Sequence, residues 1–301
     1  MSFSKLFSAL YATLALTSSV YAGTTSTVSN WGDNPSHLPA MLVFRPNTLA
    51  SNPPIFVGLH PCGGTGQQWM SSTDMPSFAD RLGFPILFPT SNSQGGFNCW
   101  DAHSNASNTH NGGGDSEGIA GMVTWALNEF KGDPKRVFVF GGSSGAMEAN
   151  IMAAAYPDVF AGAASWSGVP AGCWLGAPMS TPFSSDLTCP MGQKAAQFSA
   201  QQWGDLARQE DPGYSGRRPK MMIVHGTADQ AVVLSLLGAQ LAQWSNVFGI
   251  NFNHNETNTP TSGWTKMVYG DGTQLVGYEV LNGPHIPPFQ SQEMLKFFGI
   301  M

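Results

Sequence analysis

Charge is scarce in this sequence. Asp, Glu, Lys and Arg make up 11% of its 301 residues, against 42% apolar side chains. A chain with so few charges and so many apolar groups has ample material for a core and does not read as disordered. Cations are scarcer still, with 13 Lys and Arg against 19 Asp and Glu, a net charge of −6 at pH 7. That balance argues against a nucleic-acid partner, because phosphate neutralisation draws on Lys and Arg. Long apolar runs are missing as well. Leu6 to Leu16 is a short apolar stretch, well below the roughly 20 residues needed to span a bilayer. Lys5 precedes it and the small-residue site Val20-Tyr21-Ala22 follows, which is the layout of a secretory signal peptide. Residues 1–22 are therefore expected to be a signal peptide and residues 23–301 a secreted, extracellular chain without a membrane partner.

Cysteine is sparse. The four present are Cys62, Cys99, Cys173 and Cys189, and none lies in a CxxC pair. This spacing gives a zinc site no support, and no metal or cofactor is expected. An even number in a secreted chain points to two disulfides, with three pairings open. Two glycosylation sequons, beginning at Asn105 and Asn255, fit secretion.

Glycine and proline are plentiful, at 35 and 21 residues, and predict many tight turns. Short apolar runs at Met41–Phe44, Ile55–Leu59, Pro85–Pro89, Val137–Phe140 and Met221–Val224 read as buried strands. Ser116–Lys131, Ser144–Tyr156 and Val232–Phe248 read as helices, the first capped by Asp115 or Ser116. Strands alternating with helices predict an α/β fold with a mostly parallel sheet and helices on both faces. No internal repeat and no linker appears, so a single domain, acting as a monomer, is expected. Gly172 to Phe198 is the least regular stretch and is expected to form a disulfide-pinned excursion on the catalytic face.

Arg136 to Phe140 leads directly into Gly141-Gly142-Ser143-Ser144-Gly145. This is G-x-S-x-G in the setting of strand, sharp turn and helix, the nucleophile elbow of the α/β-hydrolase fold. Ser143 is the candidate nucleophile, and the Ser144 N–H suits an oxyanion hole. In that fold the acid and then the histidine follow the serine. Asp229, in His225-Gly226-Thr227-Ala228-Asp229, lies just past a buried strand and is the candidate acid, with a turn-capping role as the alternative. His285 sits in a turn-rich loop after the apolar run Leu275–Val280 and is the candidate base. His254 lies in the polar stretch Asn251–Asn258, which reads as a surface loop. His225 reads as a packed strand-end residue. The strand Ile55–Leu59 runs into His60-Pro61-Cys62-Gly63-Gly64, where the Cys62 N–H is the second oxyanion donor and His60 reads as structural.

Further segments fall into the same order along the chain. They are Leu59-His60-Pro61-Cys62 with Gly64-Thr65-Gly66, Asn98-Cys99-Trp100-Asp101, His110 to Ser116, Gly142 to Met147, Tyr156 to Phe160, Ser167 to Cys173, Trp203 to Leu206 and His225 to Asp229. From about Trp31 to the C-terminus the chain resembles the fungal acetylxylan esterases of carbohydrate esterase family 1. That family is related to the polyhydroxybutyrate depolymerases and to one type of feruloyl esterase. The resemblance implies Ser143 as nucleophile, Asp229 as acid and His285 as base, with oxyanion N–H groups from Cys62 and Ser144. It departs in one place: Pro284 directly precedes the histidine where the family has Gly.

The resemblance implies a secreted serine esterase that removes acetyl groups from acetylated xylan, a plant cell-wall polysaccharide. The alternatives are a feruloyl esterase or polyester depolymerase on the same scaffold, and a catalytically inactive polysaccharide-binding relative. Two disulfides are expected, Cys62–Cys99 beside the oxyanion loop and Cys173–Cys189 beside the site. Trp100 either offers its face to a sugar ring or simply packs. Feruloyl specificity needs an additional apolar slot, and no residues in the sequence identify one.

Overall fold

The computed structural model describes residues 22–94 and 96–301. Apart from Ala22, the expected signal peptide lies outside the described residues. The first half of the chain runs β1 (Thr24–Val28), β2 (Met41–Arg45), β3 (Ile55–Leu59), α1 (Gly66–Ser72), α2 (Met75–Leu82), β4 (Ile86–Phe88), β5 (Ser93–Gln94) and β6 (Phe97–Asn98). It continues through α3 (Asp115–Phe130), β7 (Val137–Gly142), α4 (Ser144–Ala155) and β8 (Gly162–Trp166). The second half contributes α5 (Gln193–Gln197), α6 (Ala200–Gln209), β9 (Lys220–Gly226), α7 (Ser235–Phe248), β10 (Phe252–Thr257), β11 (Trp264–Tyr269), β12 (Leu275–Val280) and α8 (Ser291–Phe298).

Among the described residues, ten strands form one sheet in the order β1-β2-β4-β3-β7-β8-β9-β12-β11-β10. Its centre, β4 through β12, pairs in parallel. The strands outside that centre, β1 and β2 on one flank and β11 and β10 on the other, pair antiparallel. The central strands read as continuous apolar runs because both of their faces are buried. Ile55, Val57 and Leu59 of β3 enter one core while Phe56 enters the other. On β7, Val137 and Val139 face the first core, and Phe138 and Phe140 the second. Side chains of α3, α4, α6 and α7, such as Met122, Ile151, Trp203 and Trp244, cover the first face. Trp69 of α1, Met75 of α2 and Leu295 of α8 cover the second. This is the α/β-hydrolase arrangement, a mostly parallel sheet with helices on both faces.

Three local expectations need correction. Gly114, not Asp115 or Ser116, is the N-cap of α3, and the Asp115 N–H donates to Ser107 Oγ at 3.0 Å. The stretch at 251–258, expected as a loop, contains the edge strand β10. Its residues are mostly exposed, so no apolar alternation marks it. Strand β8, Gly-Ala-Ala-Ser-Trp, is absent from the expected strands because small residues carry little strand signal, yet it is fully buried between β7 and β9.

Cys62 is bonded to Cys99 and Cys173 to Cys189. The second bond pins the excursion between β8 and α6. Lys194 Nζ adds a hydrogen bond to the Cys173 carbonyl at 2.6 Å, and Trp174 Nε1 one to the Asp186 carbonyl at 3.1 Å.

Candidate active site

The parallel strands all end on one edge of the sheet, where open α/β sheets place their ligands. Ser143 stands between β7 and α4 with φ 53° and ψ −118°, a conformation a non-glycine residue holds only when its surroundings impose it. Gly141 and Gly145 make the turn feasible. A Cβ on Gly141 would lie 2.2 Å from the Gly145 carbonyl oxygen, and one on Gly145 would lie 2.1 Å from that of Leu59. The Ser143 N–H donates to the Trp166 carbonyl at 2.8 Å, tying the elbow to β8.

The loops after β9 and β12 are stitched together. The Ala228 N–H donates to the Gly283 carbonyl at 3.0 Å, and the Asn282 N–H to Thr227 Oγ1 at 2.7 Å. Pro284 sits exposed in this turn, and the loop still brings His285 over the sheet. His285 Nε2 lies 2.8 Å from Ser143 Oγ, and its Nδ1 lies 2.9 Å from Asp229 Oδ2. Asp229 Oδ1 also accepts the N–H groups of Ala231 and Val232, both at 2.9 Å. Burial acts to raise the Asp229 carboxyl, but hydrogen bonds from His225, His285 and Val232 outweigh it and hold it well below the usual carboxylate range.

Ser144 opens α4, so its N–H has no carbonyl within the helix to meet. Its hydroxyl accepts the Trp100 N–H at 2.7 Å. Cys62 lies on the neighbouring loop after β3, bonded to Cys99 next to Trp100. His60 is buried, donates from Nδ1 to the Pro61 carbonyl at 2.8 Å and accepts the Ser91 N–H on Nε2 at 3.0 Å. Burial pushes its pKa down to about 4, so it stays a neutral strut.

For Trp100 the sugar-binding expectation fails and the packing alternative holds. Trp100 is completely buried, and its Nε1 donates to the His60 carbonyl at 3.0 Å, so no face is free for a sugar. His254 is remote from Ser143: it lies exposed on β10 with its Nε2 3.5 Å from Glu256. Asn105 and Asn255 are both exposed. Two features escaped the sequence reading. The first is His225, whose buried Nε2 lies 3.1 Å from Asp229 Oδ2; its spacing four residues before the acid is the signal. The second is an apolar cavity of about 260 Å³ reaching Ser143 and His285, walled by Met147, Trp174, Pro182, Leu187, Met191 and Val232. Most of that wall comes from the excursion, whose irregular sequence gives no periodicity to read.

Residues 38–187 match the profile of the esterase PHB depolymerase family. Feruloyl esterase B of Neurospora crassa is 44% identical over 274 residues, covering 91% of this chain and 92% of that protein. Acetylxylan esterase A of Emericella nidulans is 39% identical over 281 residues, covering 92% and 90%. This chain belongs to the fungal acetylxylan and feruloyl esterase family. The acetyl xylan esterase from Aspergillus awamori superposes with a TM-score of 0.86 at 36% identity, covering 93% of this chain and all of that one. The family member described here is thus a carboxylic ester hydrolase with the α/β-hydrolase fold. Among the described residues, no helix is long and apolar enough to cross a membrane, and no group of three or more His, Cys, Asp or Glu is placed to hold a metal ion.

Proposed function

We propose that this esterase removes acetyl groups from acetylated xylan through an acyl-enzyme, with Ser143 as nucleophile, His285 as base and Asp229 as acid. The observation that carries the reading is the unbroken relay from Ser143 Oγ to His285 at 2.8 Å and on to Asp229 at 2.9 Å. His285 takes the hydroxyl proton as Ser143 Oγ adds to the ester carbonyl. The N–H groups of Cys62 and Ser144 receive the developing oxyanion. As the intermediate collapses and the ester C–O bond breaks, His285 gives its proton to the departing sugar oxygen, and water repeats the sequence on the acyl-enzyme. Asp229 fixes the imidazole tautomer and stabilises the imidazolium. The named activities of the acetylxylan esterase relatives support the choice of substrate. The expected signal peptide and the two disulfides support secretion, with residues 23–301 acting as one domain and as a monomer.

A second reading, hydrolysis of feruloyl esters, is favoured by the cavity beside Ser143. Its apolar wall suits an aromatic acyl group, and an acetyl group leaves most of it empty. The feruloyl esterase B relatives support the same reading. The deciding experiment measures kcat/KM for acetylated xylan and methyl ferulate under one set of conditions. A higher value for acetylated xylan supports the first reading, and a higher value for methyl ferulate replaces it with the second. Loss of both activities in Ser143→Ala is expected on either reading.

A further inference from the structure

Asp229 is held by two imidazoles, and the reaction as described uses one of them. His225, the penultimate residue of β9, is completely buried. Its Nε2 lies 2.8 Å from the Val232 carbonyl oxygen and 3.1 Å from Asp229 Oδ2. Both of those oxygens only accept, so Nε2 carries the proton. Its Nδ1 is buried without a hydrogen-bond partner, which destabilises the fold. An apolar side chain in that place would avoid the unpaired nitrogen, so packing alone does not account for a histidine.

We propose that His225 is a positioning residue of the esterase reaction: its Nε2–H, bonded to the Val232 carbonyl at 2.8 Å, also lies 3.1 Å from Asp229 Oδ2, where it holds the carboxylate against His285 and draws off part of its negative charge. The inference rests on the reading of Ser143, His285 and Asp229 as the catalytic relay. The carboxylate has room for about four donors, and four groups fill it. Ala231 and Val232 N–H bind Oδ1, His225 binds Oδ2, and His285 Nδ1 reaches both oxygens, at 3.0 and 2.9 Å. These contacts hold the carboxylate facing His285. The charged and titratable groups facing Asp229 are these two imidazoles. An N–H dipole aimed at the carboxylate weakens its pull on the His285 proton.

The test compares His225→Leu with His225→Gln, whose side-chain amide restores a donor near the place of Nε2. In His225→Leu, kcat on p-nitrophenyl acetate should fall about tenfold, the size of effect of one hydrogen bond. KM should hardly change, because His225 does not line the cavity at Ser143. The acid limb of the kcat/KM profile should move to higher pH, and His225→Gln should recover most of both changes. A His225→Leu protein with an unmoved acid limb overturns the proposal. Nitrogen-15 shifts of the wild-type imidazoles give a check that needs no variant: a His225 proton on Nε2 supports the proposal and one on Nδ1 overturns it. Asp229→Asn separates the two levels of inference. If it retains full activity, the relay reading fails and this proposal with it. If it is inactive while His225→Leu keeps its acid limb, only the role of His225 fails.

Discussion

Two long irregular stretches cover the catalytic edge of the sheet, each anchored by a disulfide, and they are built in opposite ways. Residues 99–114 turn several of their polar groups inward. The Trp100 N–H reaches Ser144, its indole reaches the His60 carbonyl, and its own carbonyl accepts Ser180 Oγ at 2.9 Å. The Asp101 carboxylate accepts the Ser104 N–H at 3.0 Å and its hydroxyl at 2.6 Å. The excursion at 172–198 instead leaves apolar groups exposed, with Phe183 70%, Leu187 36% and Met191 38% accessible. The first stretch braces the loops carrying Cys62 and Ser144, the proposed oxyanion donors, which must be placed before reaction. The second supplies most of the wall of the apolar cavity beside Ser143. The two stretches meet at Ser180, whose Oγ donates to the Trp100 carbonyl and accepts the Ala102 N–H, both at 2.9 Å, but they present different groups to the site.

Ser143 lies between the two, so its removal should abolish turnover of every substrate, whichever loop selects it. Ser143→Ala should lower kcat by at least about 10⁴-fold with an unchanged melting temperature, and His285→Ala nearly as much. His254→Ala should be silent. Activity retained by His285→Ala but lost by His254→Ala would remove the relay.

Breaking the disulfides separately sharpens the contrast. Replacing Cys62 and Cys99 by Ser should reduce kcat on acetyl and feruloyl esters alike, because a brace for the oxyanion loop is gone. Replacing Cys173 and Cys189 should change the ratio between the two substrates. Each loss should destabilise the protein by about 2–5 kcal/mol at most, as read from urea midpoints. Equal effects of both pairs on the substrate ratio would erase the distinction between the loops.

The polar side also carries a pH signature. Asp115 is buried at the start of α3, where its Oδ2 accepts the Asp101 N–H at 3.1 Å. Burial first, then the Asp101 charge against the pull of that N–H, pushes its pKa up to about 6. An acid raised above its unfolded value of about 3.9 stabilises the fold below that value and loses the contribution as pH rises through about 6. Asp115→Asn removes this loss. Relative to wild type it should therefore gain stability between about pH 4 and 7, by up to about 3 kcal/mol. A difference between the two proteins that is the same at both pH values would show that Asp115 does not titrate in this window.

The sequence is legible where one local rule decides the structure. The central strands announce themselves because burial on both faces demands unbroken apolar runs, and the elbow because a Cβ on Gly141 or Gly145 would fall 2.2 or 2.1 Å from a backbone oxygen. Asp229 and His285 follow from chain order and turn chemistry. What stays hidden depends on long-range placement. Trp100 reads equally as a sugar platform or as core until Ser144, His60 and Ser180 are seen around it. His225 looks like a strand-end filler until Asp229 folds back over it. The cavity wall includes Met147 on α4, Val232 before α7 and five residues of the excursion, positions that no periodicity links.

The smallest expected effect tests the apolar loop alone. Leu187 is 36% exposed on the excursion and faces the cavity at Ser143. A larger side chain there narrows the space for the acyl group without touching Ser143, His285, Asp229 or either oxyanion donor. Leu187→Trp should therefore lower kcat/KM for methyl ferulate by about tenfold, the order set by a few methylene-sized contacts in an apolar pocket. An acetyl group needs little of the cavity, so p-nitrophenyl acetate should be hydrolysed at nearly the wild-type rate. The discriminating quantity is the ratio of the two kcat/KM values, which cancels any error in active-enzyme concentration. If both substrates fall together, Leu187 acts on the relay and the excursion is not a separate specificity element. If neither falls, the acyl group lies outside this cavity, and the support the cavity lends to the feruloyl reading disappears.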